Sequence, residues 1–505
     1  MNRRIKTALL GVLLFLAGST CFAQTGSAND ARAIIKHAVG AVGIPDVETK
    51  TLHFRDVIGN VQDFQSDRTY PPYFSGQVTR EVWFDPHAGI ERATAQSYFP
   101  GSGPTPPSTS ISNEKLVAGI RDSKAVIVPG AKPMMRRLNA WAVLLDWQNS
   151  PDVSVVGKEV YRDYPRTVLS RKVNGLEERL YLDVKTGFPV KVDTWESHYL
   201  WGQVHVEYIY STWVEAGGAF VPGSSFCMVD GETNMTRTMG TIEIKEKSEA
   251  PDMILPDPPP ASANPPSSVP LFLQPLPPKT IKVSDNTYLL SNPGYTETIT
   301  LVGNKVYMLD ATQGEARAKQ DEALIHQLFP GKHEIVVVIT DLAWPHVAGI
   351  RYWVSTGATI VSHRASKEFL TKVIDRKWTV APDELEKNRG KAKMKFVAVG
   401  DQYTAENGKI KLYPIDGIGS EVALMAFLPE DKFLWASDYV QTLREPTMYA
   451  SEVIAAATRA GIQPEQIAAE HLPLTQWKAV IDAQKPKNKS GTLSASGNHH
   501  QESDR

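Results

Sequence analysis

Ile335-Val336-Val337-Val338-Ile339-Thr340-Asp341-Leu342-Ala343-Trp344-Pro345-His346-Val347-Ala348-Gly349 reads as a buried strand that runs into a loop and then a helix. The apolar run from Ile335 to Ile339 is continuous rather than alternating, which is the pattern of a covered strand. Outward from it, strands and helices keep alternating. Residues 287–290, 297–302 and 305–310 read as a strand meander. Residues 316–328 read as a helix with Ala316, Ala323, Leu324 and Leu328 on its inner side. Beyond the quoted stretch come a helix over 346–356, a strand over 359–363 and a helix from Ser366. Further strands are expected over 395–399, 409–414, 422–428 and 433–436, and helices over 451–460 and 475–483.

The turn at 340–349 resembles the signature of the metallo-β-lactamase superfamily, in which a strand ends in Thr-His-x-His-x-Asp-His. The resemblance covers residues 282–482 and implies an αββα sandwich with a zinc site at its edge. Residue by residue, Asp341 stands at the first histidine position, Ala343 at the second and Pro345 at the aspartate, while His346 is kept. Asp310 matches the strand-end aspartate that holds the ligand loop. Counting back from Pro429 puts Gly419 where the family has another histidine, with Ser420 and Glu421 adjacent and a register shift of one left open. Asp438, in Leu434-Trp435-Ala436-Ser437-Asp438, matches the bridging aspartate, and His471, in Ala468-Ala469-Glu470-His471, the last histidine.

By that resemblance His346, Asp438 and His471 are the implied metal ligands, and Asp438 and Asp341 the implied catalytic carboxylates. Two histidines and one carboxylate suffice on paper for one zinc or other divalent ion. Proline, alanine and glycine offer no donor, so a dinuclear site is not expected. The alternative is that no ion binds and that the two histidines are leftover polar groups hydrogen-bonded to Asp438. In either case the three side chains should converge within roughly 6 Å, the range over which opposite charges perturb one another. His363, Trp344 and Trp353 are further candidates for the pocket wall, with a satisfied loop histidine and core tryptophans as the plainer reading. Ser362, Ser366 and Ser420 lie in no Gly-x-Ser-x-Gly elbow.

The 505 residues exceed what one core holds, and the stretch 250–280 carries a dense run of prolines, which fix φ and remove donors. The expected division is a leader over 1–23, a β-rich domain over 24–249, a linker over 250–280, a second domain over 281–484 and a polar tail over 485–505. The whole is α+β, a curved antiparallel β domain followed by the sandwich. In the first part, residues 30–42 form a helical stripe with Asp30 as N-cap. Gln203, His205 and Glu207 alternate with Val204, Val206 and Tyr208, which gives a strand with one wet face. Residues 179–183 and 189–193 flank Lys185-Thr186-Gly187, a hairpin signal. Strand rhythm and Tyr181-Leu182-Asp183…Thr186-Gly187-Phe188-Pro189 resemble the LolA-like periplasmic lipoprotein carriers, which implies an acyl-binding concave sheet.

Arg3, Arg4 and Lys6, the apolar run 8–17 and Cys21-Phe22-Ala23 before Gln24 have the form of a secretory signal. The run is shorter than the ~20 residues a bilayer span needs, so no stable membrane span is expected after cleavage. A signal anchor, or lipid attachment at Cys21, is the weaker alternative. Cleavage leaves Cys227 alone, without a disulfide partner. The expected location is periplasmic or secreted. A net charge of -2 gives no reason to expect nucleic acid. Two functions stand open: an exported one-metal hydrolase of small molecules, or a non-catalytic binding or scaffold protein that holds a lipid-like ligand. Neither the substrate nor the oligomeric state is legible.

Overall fold

The computed structural model describes residues 28–44, 48–59, 68–69, 76–99, 103–128, 133, 135–173, 175–257, 276–292, 294–417, 420–443 and 449–485. The leader, most of the proline-rich stretch, Gly419 and nearly all of the polar tail lie outside them. The chain is mixed α+β and dominated by sheets. Among the described residues no helix is long and apolar enough to cross a membrane.

Residues 50–246 build one fourteen-stranded sheet in which every pairing is antiparallel. Two meanders meet in its middle, where Lys50–Gly59 pairs with Glu232–Glu246. The expected hairpin is present: Leu176–Asp183 pairs with Pro189–His198, and Asp183 Oδ1 accepts the Lys185 and Thr186 amides at 2.9 Å each. The wet-and-buried alternation over 203–208 is also present. Helices Ala28–Val42 and Ala140–Gln148 supply Ile35, Ala38, Val42, Trp141, Leu144 and Trp147 to a core shared with Phe54, Phe84, Leu180 and Tyr208 of the sheet. Asp30 lies in the first turn of its helix instead of capping it. The second helix, unread in the sequence, starts at Asn139, whose side chain accepts the Trp141 amide.

The second half builds two sheets. Seven strands run in sequence order from Lys279–Lys282 to Lys395–Val399, antiparallel for the first four and parallel from Lys305–Leu309 onward. The first of them starts inside the stretch assigned to the linker, because residues 279–282 pair with Tyr288–Ser291. Six strands from Tyr403–Ala405 to Thr475–Gln476 form the other sheet. Leu309, Val336, Val338 and Val361 of the first face Leu412, Leu424, Ala426 and Trp435 of the second across one apolar layer. Helices Glu315–Leu328, Ile350–Thr356 and Lys367–Asp375 pack on the outside of the seven-stranded sheet. Ala450–Arg459 and Trp477–Ala483 pack outside the other.

One helix faces differently from the expectation. Glu315–Leu328 buries Arg317, Ala318, Asp321 and Ile325 and exposes Ala316 and Ala323. A buried ion pair reset the face. Arg317 donates to Asp321 at 2.8 Å, to Glu297 at 3.1 Å and to the Leu290 carbonyl at 2.8 Å, all inside the protein. Apolar periodicity assigns such residues to solvent, but charges that are paired and hydrogen-bonded to one another can be buried, their mutual attraction offsetting the cost of desolvation.

The two halves also touch. The turn at 199–201 of the first sheet inserts Leu200 into the helix-side core of the second half. The Trp201 ring stands 5.7 Å from that of Trp344 and 5.2 Å from that of Phe369. Arg376 donates to the carbonyls of Trp201 and Gln203 at 2.7 Å each and pairs with Asp230 at 2.6 Å. The core reading of Trp344 and Trp353 therefore holds, since both are buried there.

Candidate metal centre

Three loops at one end of the facing sheets build the site. The first follows strand Glu334–Ile339, which lies between two parallel neighbours. Its helical continuation is split into Trp344–Val347 and Ile350–Thr356 by Gly349, where one helix over 346–356 was expected. The split comes from an amide hydrogen bond directed out of the helix, at a spot only glycine can occupy. The Gly349 amide donates to the Ala311 carbonyl at 2.8 Å, and a Cβ on residue 349 would lie 2.9 Å from that oxygen. Two more backbone bonds, Ala311 N to His346 O and Gln313 N to Pro345 O, zip the turn to the loop after strand Lys305–Leu309.

Asp310 anchors this turn as the resemblance implied. Its carboxylate accepts the Thr340 amide at 2.7 Å, the Thr340 hydroxyl at 2.5 Å and the Trp435 indole N–H at 2.8 Å. It does so from φ 69°, a backbone conformation uncommon outside glycine. Burial, with the nearby Asp341 charge, pushes its pKa up to about 7.

Asp341 stands behind His346 and is well supplied with donors. It accepts the Ala343 amide at 2.7 Å and the Ser437 hydroxyl at 2.7 Å, and its Oδ1 lies 3.2 Å from His346 Nδ1. Burial acts to raise its pKa, but His346 and these donors outweigh it and hold it below the usual carboxylate range.

The second loop follows strand Phe433–Trp435 and carries Asp438, whose Oδ1 accepts from Gln441 at 2.8 Å. The third follows strand Gln466–Ala468 and carries Glu470 and His471. It is tied to the second by Glu470 N to Ser437 O and to a hairpin of the other sheet by Thr296 N to Glu470 O. Thus His346, Asp438 and His471, more than a hundred residues apart at the extremes, are brought together. One ligand atom from each of His346, Asp438, Glu470 and His471 lies within 4.8 Å of all the others. Asp341 touches this group through His346 but is not one of the four.

Three carboxylates crowd one imidazole here. Burial acts to lower the His346 pKa, yet Glu470, Asp341 and Asp438 raise it well above the ordinary imidazole value. Burial pushes Asp438 and Glu470 up. His471 Nδ1 donates to the Gly294 carbonyl, which leaves its Nε2 as the lone-pair nitrogen, 3.4 Å from Asp438 Oδ1. A backbone acceptor on one ring nitrogen is how proteins orient a metal-binding histidine. His346 is 2% exposed and Glu470 0%, whereas the Asp438 and His471 side chains keep 14% and 30% of their surface. The cluster is thus closed at its back and open toward those two.

Tyr295 and Glu470 were missed in the sequence. The Tyr295 ring lies 5.8 Å from that of His346 and 5.3 Å from that of His471, and burial pushes its hydroxyl up to about 12, so it stays protonated. Glu470 had a signal in its place between Ala469 and His471. His363 lies outside the cluster. It accepts the Ala365 amide and starts the turn before Lys367–Asp375, the ordinary role of a loop histidine. Gly419, the other position carried over by resemblance, lies outside the described residues.

No protein-family model matches the chain, and no curated protein matches it. Among solved structures, DIM-1 metallo-beta-lactamase is 14% identical, with 41% of this chain and 94% of that chain covered at a TM-score of 0.32. The metallo-beta-lactamase FIM-1 from Pseudomonas aeruginosa in the mono-zinc form is 12% identical over 41% and 93%, with a TM-score of 0.32. A metallo-beta-lactamase from Erythrobacter litoralis is 15% identical over 40% and 93%, with a TM-score of 0.31.

Proposed function

We propose that this chain is an exported hydrolase of the metallo-β-lactamase fold that works with one divalent ion instead of two. The observation that carries the reading is the convergence of His346, Asp438, Glu470 and His471 within 4.8 Å. The facing sheets, with helices outside each, support an αββα sandwich for the second half. The charged and apolar runs at 3–17 support export.

The residues fit a divalent ion, because imidazole nitrogen and carboxylate oxygen are its ordinary donors and the buried carboxylate of Glu470 has no donor besides His346 Nδ1, which it shares with Asp341. His346, Asp438 and His471 would hold it. Such an ion lowers the pKa of bound water toward ~7 and polarises a carbonyl or phosphoryl oxygen. The protein's own part is positioning. Asp341 fixes the His346 ring, the Gly294 carbonyl fixes His471, and Gln441 fixes Asp438. Asp438 lies at the open edge and is placed to take a proton from an attacking water. Tyr295 stands beside both histidine rings and stays protonated.

The lipid-carrier reading draws less support, since Trp141, Trp147, Phe54 and Phe84 already fill the described interior of the first sheet. The family's dinuclear pattern is broken at Asp341, Ala343 and Pro345, so β-lactam turnover is expected to be feeble or absent. The test is a screen of lactam, carboxylic-ester and phosphoester substrates on chelator-stripped protein, before and after one equivalent of Zn²⁺, Co²⁺ or Mn²⁺. Metal-restored ester or phosphoester hydrolysis is the expected result. No turnover of any class by metal-loaded protein would remove the hydrolase reading.

A further inference from the structure

We infer that Glu470 is a fourth protein ligand of the proposed one-metal centre, which makes the centre a set of two imidazoles and two carboxylates. The inference rests on the metal reading above and adds a residue at no ligand position of the family's signature.

Two carboxylates, Asp341 and Glu470, face His346. Asp341 has a backbone amide and a serine hydroxyl as well as the imidazole, so its charge is satisfied without any ion. Glu470 has neither. Its side chain is 0% exposed, and apart from one contact to His346 its oxygens meet no donor within the protein. What Glu470 does touch is His346 Nδ1, the same nitrogen that Asp341 already occupies. One ring nitrogen shared by two buried carboxylates leaves the second short of donors, and a buried carboxylate without enough partners is costly.

The side chain has no easy way to escape that cost by swinging out. Its backbone is fixed on both sides, N–H to the Ser437 carbonyl at 3.1 Å and C=O to the Thr296 amide at 2.9 Å. The same geometry holds one Glu470 oxygen within 4.8 Å of ligand atoms from His346, Asp438 and His471. A cation among these four atoms gives Glu470 the partner it lacks and relieves the crowding at His346 Nδ1.

The donor set has a consequence for the ion. Four protein ligands complete the tetrahedral shell that Zn²⁺ prefers in structural sites, whereas catalytic zinc sites keep three and leave a position for water. Ions that accept five or six ligands, such as Co²⁺ and Mn²⁺, keep room for water beside two imidazoles and two carboxylates. Hydrolysis, where present, is therefore expected to favour Co²⁺ or Mn²⁺ over Zn²⁺.

The test uses the full chain, stripped with a chelator and titrated with Co²⁺, with the visible absorption spectrum and calorimetry read together. Native protein and the isosteric Glu470→Gln variant are compared after far-UV circular dichroism shows both folded. The native chain should take up one Co²⁺. Glu470→Gln should bind it about 10–100-fold more weakly, with a changed absorption intensity that reports a changed ligand set. A Glu470→Gln chain with native affinity and native spectrum would overturn Glu470 as a ligand and leave a three-residue centre standing. A native chain that binds neither Co²⁺ nor Zn²⁺ would overturn the metal reading and this inference with it.

Discussion

A His346→Ala chain is expected to bind its divalent ion at least about 100-fold more weakly than the native chain and to lose metal-dependent hydrolysis with it. Loss of groups that merely support a ligand costs roughly 10–100-fold in affinity, and His346 is read as a ligand itself. It is also the deepest nitrogen of the cluster, at 2% exposure, with Asp341 and Glu470 both aimed at its Nδ1. The variant keeps three carboxylates in the region and removes the imidazole that pairs with two of them. Equilibrium dialysis against Zn²⁺ with elemental analysis gives the number directly. A variant that holds the ion as tightly as the native chain would show that the metal, if bound, sits elsewhere. His471→Ala is the companion variant, and its Nε2 makes the same demand.

The second large effect is on stability and lies in the first sheet. Asp56 accepts Arg80 Nε at 2.9 Å, Arg80 Nη2 at 2.6 Å and Arg237 Nε at 2.7 Å. The three side chains are 0%, 2% and 1% exposed. Removing the carboxylate leaves two guanidinium groups buried against each other, with Glu91 as the remaining partner of Arg80 and the Leu138 carbonyl as that of Arg237. Breaking a buried pair from one side costs about 3–5 kcal/mol, so Asp56→Ala should destabilise the chain by that amount in urea titration at neutral pH.

The pH dependence follows from the same contacts. Burial alone acts to raise the Asp56 pKa, but Arg80 and Arg237 outweigh it and hold it below its ordinary value. A depressed folded-state pKa means that the unfolded chain binds the proton first. The stabilisation is thus complete above the unfolded value of about 4 and is lost as pH falls through the lower folded value. Native protein should lose stability steeply below about pH 4, and Asp56→Ala should lack that part of the slope. Equal acid slopes in the two chains would contradict the assignment.

The parts of this molecule that were legible in the sequence share a physical origin. Continuous apolar runs such as 335–339 specify covered strands almost without context, and strand Glu334–Ile339 is where they place it. The Lys185-Thr186-Gly187 hairpin and the alternation over 203–208 were equally local signals. His346, Asp438 and His471 were legible only through the strand-and-turn frame that the stretch around 335–349 resembles. What stayed hidden depends on contacts distant in sequence. Arg317 reads as a surface residue until Glu297, from a strand twenty residues earlier, is placed beside it. Glu470 reads as one more acidic residue until the Ser437 and Thr296 backbones hold it against His346. Tyr295 carries no motif and joins the site because the hairpin at 294–296 abuts the third loop.

The most direct test of the account is the metal content of the purified full-length chain after exhaustive dialysis against metal-free buffer, read by elemental analysis. The account predicts one divalent ion per native chain and a loss of that ion in His346→Ala and His471→Ala. Two ions per chain, or none in the native protein, would contradict it.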